Sequence, residues 1–364
     1  MKDILNIGII GCGAIANQKH MPSLSKLAHL GKMVAFCDIE VERASQAAAE
    51  FGDADAKVYS DYKELLKDGS IDVVHVLTPN LYHAPITVDA LNAGKHVMCE
   101  KPMAINAAEA KQMLEAAQRN GKKLTVGYQN RFNEESNVLY KACSTGDLGE
   151  IYMAKAHAVR RKGVPTWGVF TNKELQGGGA LIDIGTHALD LTLWCMDNYK
   201  PKSVTGSVYY KMKDNMEGNV FGPWDPKTFD VEDSAFAFIT MEDGATIFLE
   251  CSWALNTTEA KEAKTSLFGV EGGAEMKVGP DRKTELVFNT AKYGKLVEIK
   301  PNTRSNIAYF SGSDDNPGVL EAKQWLECIL NDTEPLVKAE QAYVVTRILE
   351  AIYLSAQTGK TIEL

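Results

Sequence analysis

The sequence has few of the features that metal-binding and disulfide-rich proteins need. Its seven cysteines form no Cys-x-x-Cys pair and are odd in number, so we expect free thiols and a reducing compartment rather than a disulfide framework. Its seven histidines occur in no His-Glu-x-x-His motif and in no paired Cys/His spacing. The sequence therefore predicts no metal site.

An excess of positive charge is also missing. The chain has 48 acidic and 39 basic residues, a net charge of −9 at pH 7 and a pI near 5.4. Nucleic acids and anionic membranes bind basic protein surfaces, so we expect neither as a partner. No run approaches the ~18 apolar residues of a membrane span, so a membrane-embedded protein is not expected.

The N-terminal segment has a second interpretation, as a secretion signal. Lys2 precedes a mostly apolar stretch, and Ala14-Ile-Ala16 resembles a signal cleavage site. Asn6 and three glycines interrupt that stretch, however, and Asp3 neutralises the single lysine. We therefore expect the segment to be retained and the protein to be cytoplasmic.

The most informative stretch is an apolar run that leads into Gly11-Cys-Gly13-Ala14-Ile15-Ala16. The pattern predicts a buried strand, a glycine-rich turn and a helix. Gly11 permits the tight turn, Gly13 leaves no side chain between the backbone and a pyrophosphate, and Ala16 lets the helix pack closely on the strand. The first N–H groups of the helix, from Ala14 and Ile15 onward, would face the phosphates. The turn therefore predicts a dinucleotide site.

An acidic residue follows at the expected distance. Asp38 ends the run Val34-Ala-Phe-Cys, 22 residues after Ala16. A carboxylate at this point can accept both ribose hydroxyls of the adenosine half and would repel a 2′-phosphate, which favours NAD over NADP. The alternative is a glycine turn in another kind of α/β protein with an incidental aspartate.

The first third of the chain predicts an α/β fold with a doubly wound parallel sheet, because Val/Ile-rich runs alternate with amphipathic stretches. Strands are predicted at residues 5–10, 34–38, 72–77, 96–99 and 124–128, and helices at 14–29, 40–51, 61–67, 84–93 and 107–120. Several helices end near a glycine suited to a left-handed cap: Gly31, Gly52, Gly94 and Gly121. We assign residues 1–128 to an NAD-binding Rossmann domain.

Residues 129–364 show longer runs with period-two alternation, which predicts an α+β domain on a large, open, mostly antiparallel sheet. We assign substrate binding and oligomerisation to this domain. An exposed sheet face is often an oligomer surface, so we expect a homodimer or homotetramer through it, with a solvated sheet as the alternative. Residues 214–230 and 301–317 are rich in Gly, Pro, Asn and Asp and predict long loops.

Polar residues follow two of the predicted strands. Asn80 and His83 come after one strand, and Glu100 and Lys101 come after the next. Because the carboxyl ends of parallel strands form the ligand crevice of such sheets, we expect these side chains to line one cleft. A solvated lysine is the alternative for Lys101, but its place between Glu100 and Pro102 favours a functional role.

A second glycine-rich segment, Gly177-Gly-Gly-Ala-Leu-Ile-Asp183-Ile-Gly-Thr-His187, leads into a helix that is predicted to run to about Met196. Asp183 and His187 are spaced i, i+4 and would share one helix face. The glycines would let a substrate or cofactor approach the backbone. The alternative is a helix pair without a catalytic role.

Over essentially its whole length the chain resembles the Gfo/Idh/MocA family, named for glucose–fructose oxidoreductase, inositol dehydrogenase and rhizopine catabolism. The resemblance rests on the motifs Gly11-Cys-Gly13-Ala-Ile-Ala16, Thr78-Pro-Asn80, Glu100-Lys101-Pro102, Gly127-Tyr-Gln-Asn-Arg131-Phe132 and Asp183-Ile-Gly-Thr-His187. It implies that Lys101 and His187 flank the substrate carbon that exchanges hydride with nicotinamide C4, and that Asp183 contacts a substrate hydroxyl. It further implies a set of residues along the cofactor and the substrate: Thr78, Asn80, His83, Glu100 and Gln129 for NAD, and Tyr128 for the substrate. Arg131 matches more loosely and is open to a structural role.

Residues 160–170 resemble the substrate loop of this family. Trp167 can cover the apolar face of a pyranose or cyclitol, and Arg160 can bond its hydroxyls. The alternative is a surface loop with a half-buried tryptophan.

Together these features predict an NAD-dependent oxidoreductase that acts on a CH–OH group, the ring secondary alcohol of a monosaccharide, anhydrosugar or cyclitol. Neutral His187 would accept the hydroxyl proton, and cationic Lys101 would stabilise the developing alkoxide. Two rivals stay open. One is a glycosidase-like enzyme that uses bound NAD for transient C3 oxidation, and the other is a non-enzymatic NAD-binding sensor or corepressor, which would need neither Lys101 nor His187.

Overall fold

The computed structural model describes residues 3–279, 283–302 and 316–364. Its strands are Leu5–Ile10 (β1), Gly31–Cys37 (β2), Lys57–Tyr59 (β3), Val73–Val76 (β4), His96–Cys99 (β5), Leu124–Val126 (β6), Ile151–Val159 (β7), Pro201–Tyr209 (β8), Ser234–Met241 (β9), Thr246–Ser252 (β10), Lys261–Gly269 (β11), Gly272–Val278 (β12), Thr284–Lys292 (β13), Lys295–Ile299 (β14) and Ile362–Glu363 (β15). Its α-helices are Met21–Ser25 (α1), Val41–Phe51 (α2), Tyr62–Leu66 (α3), His83–Asn92 (α4), Ala107–Asn120 (α5), Glu134–Ser144 (α6), Lys173–Gln176 (α7), Thr186–Met196 (α8), Pro317–Leu330 (α9) and Ala339–Thr358 (α10).

The first of two compact units contains the described residues of 1–129 and 315–343. Its six strands form a parallel sheet in the order β3-β2-β1-β4-β5-β6. This is the strand order of dinucleotide-binding sheets. Strands β2 and β3 are added on one side of β1 and β4 to β6 on the other, which leaves a crevice at the carboxyl ends of β1 and β4. The doubly wound parallel sheet predicted from the sequence is confirmed.

Helix α9 returns to this first unit, although the sequence-based division placed it with the second. Val319, Trp325 and Leu326 of α9 share a buried core with Ile7 and Ile9 of β1. An apolar helix stripe reveals that a helix is buried but not against which sheet. Residues between the two visits to the first unit, 130–314, belong to the second unit.

The second unit contains the described residues of 130–314 and 344–364. Its nine strands form one sheet in the order β14-β13-β12-β11-β7-β10-β9-β8-β15, in which β7 and β10 run parallel while the neighbouring pairs β7–β11 and β9–β10 are antiparallel. Helix α8 is buried on nearly all sides and packs against β7 and β11. The open, mostly antiparallel sheet predicted for this region is confirmed.

Several local predictions need correction. The first helix is not one α-helix over 14–29 but a π-helical turn, Ala16–His20, continued by α1. Gly94 and Gly121 have positive φ and end helices as predicted, whereas Gly31 is the first residue of β2 and Gly52 is extended at φ −72°. Strands β3 and β11 to β14 were not predicted from the sequence. Of the two predicted loops, 214–230 is described and holds only the short 3₁₀ turn Pro226–Thr228, while 303–315 of the other lies outside the described residues.

Candidate active site

The glycine-rich turn after β1 is shaped by its backbone. Gly11 has φ +94°, and a Cβ there would lie 2.7 Å from the carbonyl oxygen of Leu77, so no other residue fits. Its N–H donates to the Cys37 carbonyl at 2.8 Å, which ties the turn to the end of β2. A Cβ on Gly13 would meet nothing within 4 Å. The turn therefore leaves open space above Gly13, where Ala14 and Ile15 are exposed and the buried Ala16 starts the helical segment.

Asp38 lies at the end of β2 and is held by the same turn. Its Oδ2 accepts the N–H of Cys12 at 2.8 Å, and its Oδ1 accepts the N–H of Glu40 at 2.9 Å. Each carboxylate oxygen has a second lone pair, so the group can still accept hydroxyl donors. Ile39 beside it is exposed and offers no partner for a phosphate. The open turn and this fixed carboxylate fit the pyrophosphate and the adenosine ribose of NAD.

His83 links the segments that follow β4 and β5. Its ring is buried, and its Nε2 and Nδ1 lie 2.9 Å from the Thr78 carbonyl oxygen and 2.7 Å from that of Pro102. Burial lowers the pKa of His83, so the ring is neutral near pH 7. Asn80, three residues before His83, begins the 3₁₀ turn Asn80–Tyr82 and is also buried. A neutral ring has a single N–H, so His83 donates to only one of these two carbonyl oxygens, which follow the strand ends that were predicted to line the cleft.

Glu100 is the centre of a buried polar cluster at the end of β5. Its Oε2 accepts the backbone N–H of Lys101 at 2.9 Å, and its Oε1 accepts from Lys19 Nζ and from His20 Nε2, each at 2.8 Å. A Cβ on Gly127 would lie 3.0 Å from this carboxylate. Although burial acts to raise the pKa of Glu100, the Lys19 ammonium and His20 hold it well below its usual range. Glu100 is therefore a carboxylate that fixes the backbone of the half-buried Lys101.

The cluster extends beyond Glu100 in two directions. Lys19 Nζ also lies 2.8 Å from Oε2 of Glu321 on α9, and burial raises the pKa of Glu321 to about 7. His20 Nδ1 lies 3.2 Å from Nδ1 of His75. Burial lowers the pKa of both histidines, so both rings are neutral. Because Nε2 of His20 donates to Glu100, its bare Nδ1 accepts from His75.

In the second unit, Asp183 and His187 lie at the start of the α8 segment. Asp183 belongs to a π-helical turn, Leu181–Gly185, and His187 to the first turn of α8. Both side chains are half-buried, while their immediate neighbours are buried, so both face the open side of the segment. Trp253 Nε1 donates to Asp183 Oδ2 at 2.9 Å. The π turn was not expected from the i, i+4 spacing, and such turns are frequent at functional sites.

The glycines before this segment have a different role from the predicted one. Glu232 Oε2 and Oε1 accept the N–H groups of Gly179 and Leu181 at 2.8 and 2.9 Å, and Tyr353 donates to Glu232 Oε1 at 2.9 Å. A Cβ on Gly178 would overlap the Tyr353 hydroxyl, and one on Gly179 would overlap the Glu232 carbonyl. Gly178 and Gly179 therefore make room for Tyr353 and Glu232.

The Arg160 side chain forms an ion pair with Glu262. Its Nε donates to Glu262 at 2.7 Å and its Nη1 donates to the Gly163 carbonyl at 3.0 Å. Seven residues further along the chain, Trp167 is 45% exposed. Its ring contacts Phe221 edge to face, with 4.8 Å between centroids.

Arg131 is fully buried and structural in its contacts. Its Nε and Nη2 donate to the two oxygens of Asp190 at 2.9 and 2.6 Å, and Nη2 also donates to the Tyr199 hydroxyl at 3.2 Å. Tyr128 is buried and Gln129 is half-buried. The described residues include no cluster of three or more side chains suited to a metal ion, and none of their helices is long and apolar enough to cross a membrane.

Six residues with contacts in or near the candidate site were not predicted from the sequence: Lys19, His20, Glu321, Trp253, Glu232 and Phe221. A lysine and a histidine in the turn after a glycine fingerprint carry no signal that they meet a carboxylate 80 residues later. Trp253 donates to a carboxylate 70 residues away. Only Phe221 had a signal, because its long loop is of the kind that is often functional.

The chain is similar to known proteins over most of its length. Residues 5–128 match the NAD-binding Rossmann-fold model of the Gfo/Idh/MocA oxidoreductase family, and residues 141–364 match its C-terminal α/β domain model. D-glucoside 3-dehydrogenase of Escherichia coli K12 is 36% identical over 360 residues, which are 99% of this chain and 97% of that protein. Inositol 2-dehydrogenase of Salmonella typhimurium LT2 is 29% identical over 307 residues, 84% of this chain and 82% of that protein.

A solved structure shows the same fold. Levoglucosan dehydrogenase in complex with NADH and levoglucosan superimposes with a TM-score of 0.83 at 22% identity, over 99% of both chains.

Proposed function

The chain belongs to the Gfo/Idh/MocA oxidoreductase family, and on that premise we propose that it oxidises a ring secondary alcohol of a sugar or cyclitol, with NAD as the acceptor. The observation that carries the proposal is the turn at Gly11 and Gly13 with Asp38 fixed beside it. The relatives that match over most of their length are named as dehydrogenases of a glucoside and of inositol.

NAD, when bound, supplies the acceptor for the hydride of the substrate carbon. Glycine-turn N–H groups hold its pyrophosphate and Asp38 accepts the adenosine ribose hydroxyls. Other residues of the first unit are assigned to the cofactor by their place at strand ends: Thr78, Asn80, His83, Glu100, Lys101 and Gln129. In this proposal residues 1–128, supported by α9, bind the cofactor, and residues 129–364 bind the substrate.

Lys101 and His187 are the proposed catalytic residues. Neutral His187 accepts the proton of the substrate hydroxyl, since an imidazole takes up protons near pH 7. The Lys101 ammonium stabilises the negative charge that develops on that oxygen. Support for Lys101 comes from Glu100, which holds its backbone. Asp183, oriented by Trp253, accepts a hydrogen bond from a neighbouring substrate hydroxyl.

The substrate ring is proposed to lie on Trp167. An exposed indole offers an apolar face to the C–H face of a sugar or cyclitol. Tyr128 and Arg160 are proposed to line the substrate as well. The Arg160 guanidinium is paired with Glu262 and bonded to the Gly163 carbonyl, so its main proposed role is to hold the shape of the loop. Only its remaining N–H groups are available to substrate hydroxyls.

The outer face of the nine-stranded sheet is the proposed interface of a homodimer or of a homotetramer. Phe238 and Phe248 are exposed there, and Phe236 contacts the Phe248 ring at 6.5 Å between centroids. Lys155 of β7 lies opposite Phe248, and Glu250 lies on β10, so charges of both signs are present here and the face can complement a second copy related by a two-fold axis. Light scattering of Phe238→Asp tests this, because a dimer through the face would dissociate.

A cytoplasmic location is proposed from the thiols. All seven cysteines are free, and six of them are buried. Burial raises the pKa of several, Cys12 and Cys37 to about 12, so they behave as apolar core residues rather than as redox groups.

A panel of sugars, glycosides and cyclitols, assayed with NAD by NADH absorbance, tests the function. We expect NADH to form with at least one ring alcohol and Lys101→Met to abolish most of it. Release of free sugar from a glycoside without net NADH would instead establish the glycosidase-like rival. Tight NAD binding with no turnover on any member would contradict the proposal and favour a sensor.

A further inference from the structure

The long loop of residues 214–230 is docked on the substrate loop by polar contacts. Asn219 Oδ1 accepts the Val164 N–H at 2.9 Å, and Asn219 Nδ2 donates to the Val164 carbonyl at 3.0 Å. Thr166 Oγ1 donates to the Phe221 carbonyl at 2.6 Å. The Val220 N–H donates to the Lys162 carbonyl at 3.1 Å. These bonds hold the backbone of Phe221 against the loop that carries Trp167.

The far end of the long loop is fixed as well. Trp224 Nε1 donates to the Lys213 carbonyl at 2.7 Å, and its ring packs on Phe229 with 5.5 Å between centroids. Phe229 in turn contacts Trp253 edge to face at 6.3 Å. Phe221 therefore sits on a loop that is restrained on both sides, which reduces the entropy that a ligand contact would cost.

Hydrogen bonds also connect the loop of residues 160–170 to Asp183. The N–H of Gly163 donates to the Trp253 carbonyl at 2.7 Å, and the Trp253 indole donates to Asp183. Trp167 follows Gly163 by four residues, so the extended chain places it within about 14 Å of that anchor. The loop that carries Trp167 is therefore anchored to the residue that donates to Asp183.

Two large aromatic side chains at this place are only half covered. Trp167 and Phe221 are each 45% exposed although they contact each other edge to face. The two aromatic planes are nearly perpendicular, at 84°. A single flat ring of a ligand can therefore stack on only one of them. Exposed apolar surface of this kind, held in place by a polar frame, is typical of ligand sites.

We propose that Phe221 forms a second subsite, next to the sugar ring on Trp167, for a ring-bearing group attached to the substrate sugar. This inference rests on the proposed function and narrows it, because the preferred substrate is then a glycoside with a cyclic aglycone rather than a free sugar. An aryl group and a second sugar ring can both place an apolar face against the Phe221 ring. Phe221 is a specificity-determining residue in this account, and Trp167 contacts the sugar in every substrate.

The test compares three glucose derivatives with NAD: methyl, phenyl and glucosyl glucosides, each in both anomeric forms. The variants are Phe221→Ala, Phe221→Leu and, as an exposed aromatic far along the sheet, Tyr293→Ala. We expect Phe221→Ala to lower kcat/KM for the phenyl or glucosyl compound about five- to tenfold, mainly through KM, with the methyl glucoside within twofold. Phe221→Leu keeps the apolar volume and should lose less, and Tyr293→Ala should change nothing. The phenyl and glucosyl arms distinguish an aryl from a sugar aglycone.

Equal losses on all three compounds, or no loss on any, would overturn the subsite while leaving the dehydrogenase intact. If no glucoside reduces NAD, the proposed function fails for this sugar, and calorimetric titration of the NAD-loaded protein with phenyl glucoside tests the subsite by itself. Weaker binding in Phe221→Ala than in Tyr293→Ala would then support it, and equal or absent binding would reject it.

Discussion

The turn that is proposed to hold the cofactor and the loops that are proposed to hold the substrate are built in different ways. The turn depends on backbone geometry within a short stretch, since the positive φ and close approach at Gly11 exclude any side chain. The substrate loops depend on side chains that meet from distant parts of the chain. Trp253 and Asp183 are 70 residues apart, and Arg160 and Glu262 are 102 residues apart.

This difference follows from what each region has to recognise. A dinucleotide always presents the same pyrophosphate and ribose, so one local arrangement of N–H groups and a carboxylate suffices. Substrates differ between members of one family, and the contacts to them lie mostly on loops, whose sequences vary while the scaffold is kept. The two regions should therefore respond differently to substitution.

The largest effect should come from a buried pair in the second unit. Arg131→Met would leave the Asp190 carboxylate buried without its cation, and losing one partner of such a pair costs about 3–5 kcal/mol. Burial already raises the pKa of Asp190, against the effect of Arg131, so the lone carboxyl would take up a proton. We expect urea unfolding at a markedly lower midpoint than in wild type.

Arg43→Met, at an exposed position of α2, is the matched control and should unfold like wild type. The double variant Arg131→Met/Asp190→Leu should recover part of the lost stability, because it removes the buried carboxyl group that has lost its partner. An Arg131→Met protein as stable as wild type would show that the pair contributes little, and Arg131 would again be a candidate for a direct role in the site.

In the first unit, a comparable buried group should show itself through pH. The pKa of Glu321 is raised by burial from 4.5 to about 7, so the folded protein binds a proton that the unfolded chain releases. Stability contributed by this group is therefore lost as pH rises from about 4.5 to 7, by on the order of 3 kcal/mol at 1.36 kcal/mol per pKa unit. Glu321→Gln should remove that loss.

The measurement is the difference in unfolding free energy between Glu321→Gln and wild type at pH 5 and at pH 7.5, without NAD. Buried neutral histidines such as His20 and His75 act in the opposite direction as pH rises, but they do so in both proteins and cancel in the difference. Glu334→Gln, an exposed position after α9, is the control. A difference that does not grow with pH would mean that Glu321 is already ionised in the folded protein.

Much of the first unit could be predicted because its elements are short and strongly patterned. The bounds of β1, β5 and α5 were predicted to the residue. The cap of α5 shows why: Asn106 Oδ1 accepts the Glu109 N–H, and Gly121 closes the helix at φ 57°. The π turn at Ala16–His20 was missed because no residue pattern distinguishes it from an α-helix that starts at the same place.

The second unit was predicted in outline only. Its sheet type followed from alternation in runs such as β9, but β11 to β14 contain many half-exposed polar residues and gave no clear pattern. For the candidate site, the sequence indicated candidate residues but not the side chains that contact them. Gly178 and Gly179 illustrate the limit, because their glycine signal was real while its cause, the approach of Tyr353 and Glu232, lies in contacts that only the fold creates.

A test of the chemical step is Lys101→Met. The backbone N–H of residue 101 still donates to Glu100, and methionine keeps approximately the length of the side chain, so only the ammonium is lost. We expect turnover to fall by about 10² or more, as for the loss of one electrostatic contact to the transition state, with NAD affinity nearly unchanged. Lys111→Met on the exposed side of α5 should leave turnover as it is. Near-native turnover in an NAD-binding Lys101→Met protein would remove Lys101 from the mechanism.

The smallest effect should be a change of cofactor preference. Asp38→Ser removes the carboxylate that can accept the ribose hydroxyls and repel a 2′-phosphate, and a hydrogen bond to a charged group contributes about 1.5–3 kcal/mol. We expect the ratio of kcat/KM for NAD over NADP to fall about tenfold. Some of the loss on NAD should come from the turn itself, since Asp38 also holds the N–H groups of Cys12 and Glu40. Asp55→Ser, exposed between β2 and β3, should leave the ratio unchanged. Equal use of NAD and NADP by the wild-type protein would show that the carboxylate does not select the cofactor. Asp38 would then no longer support the contrast between a cofactor site built from a short stretch and a substrate site built from distant side chains.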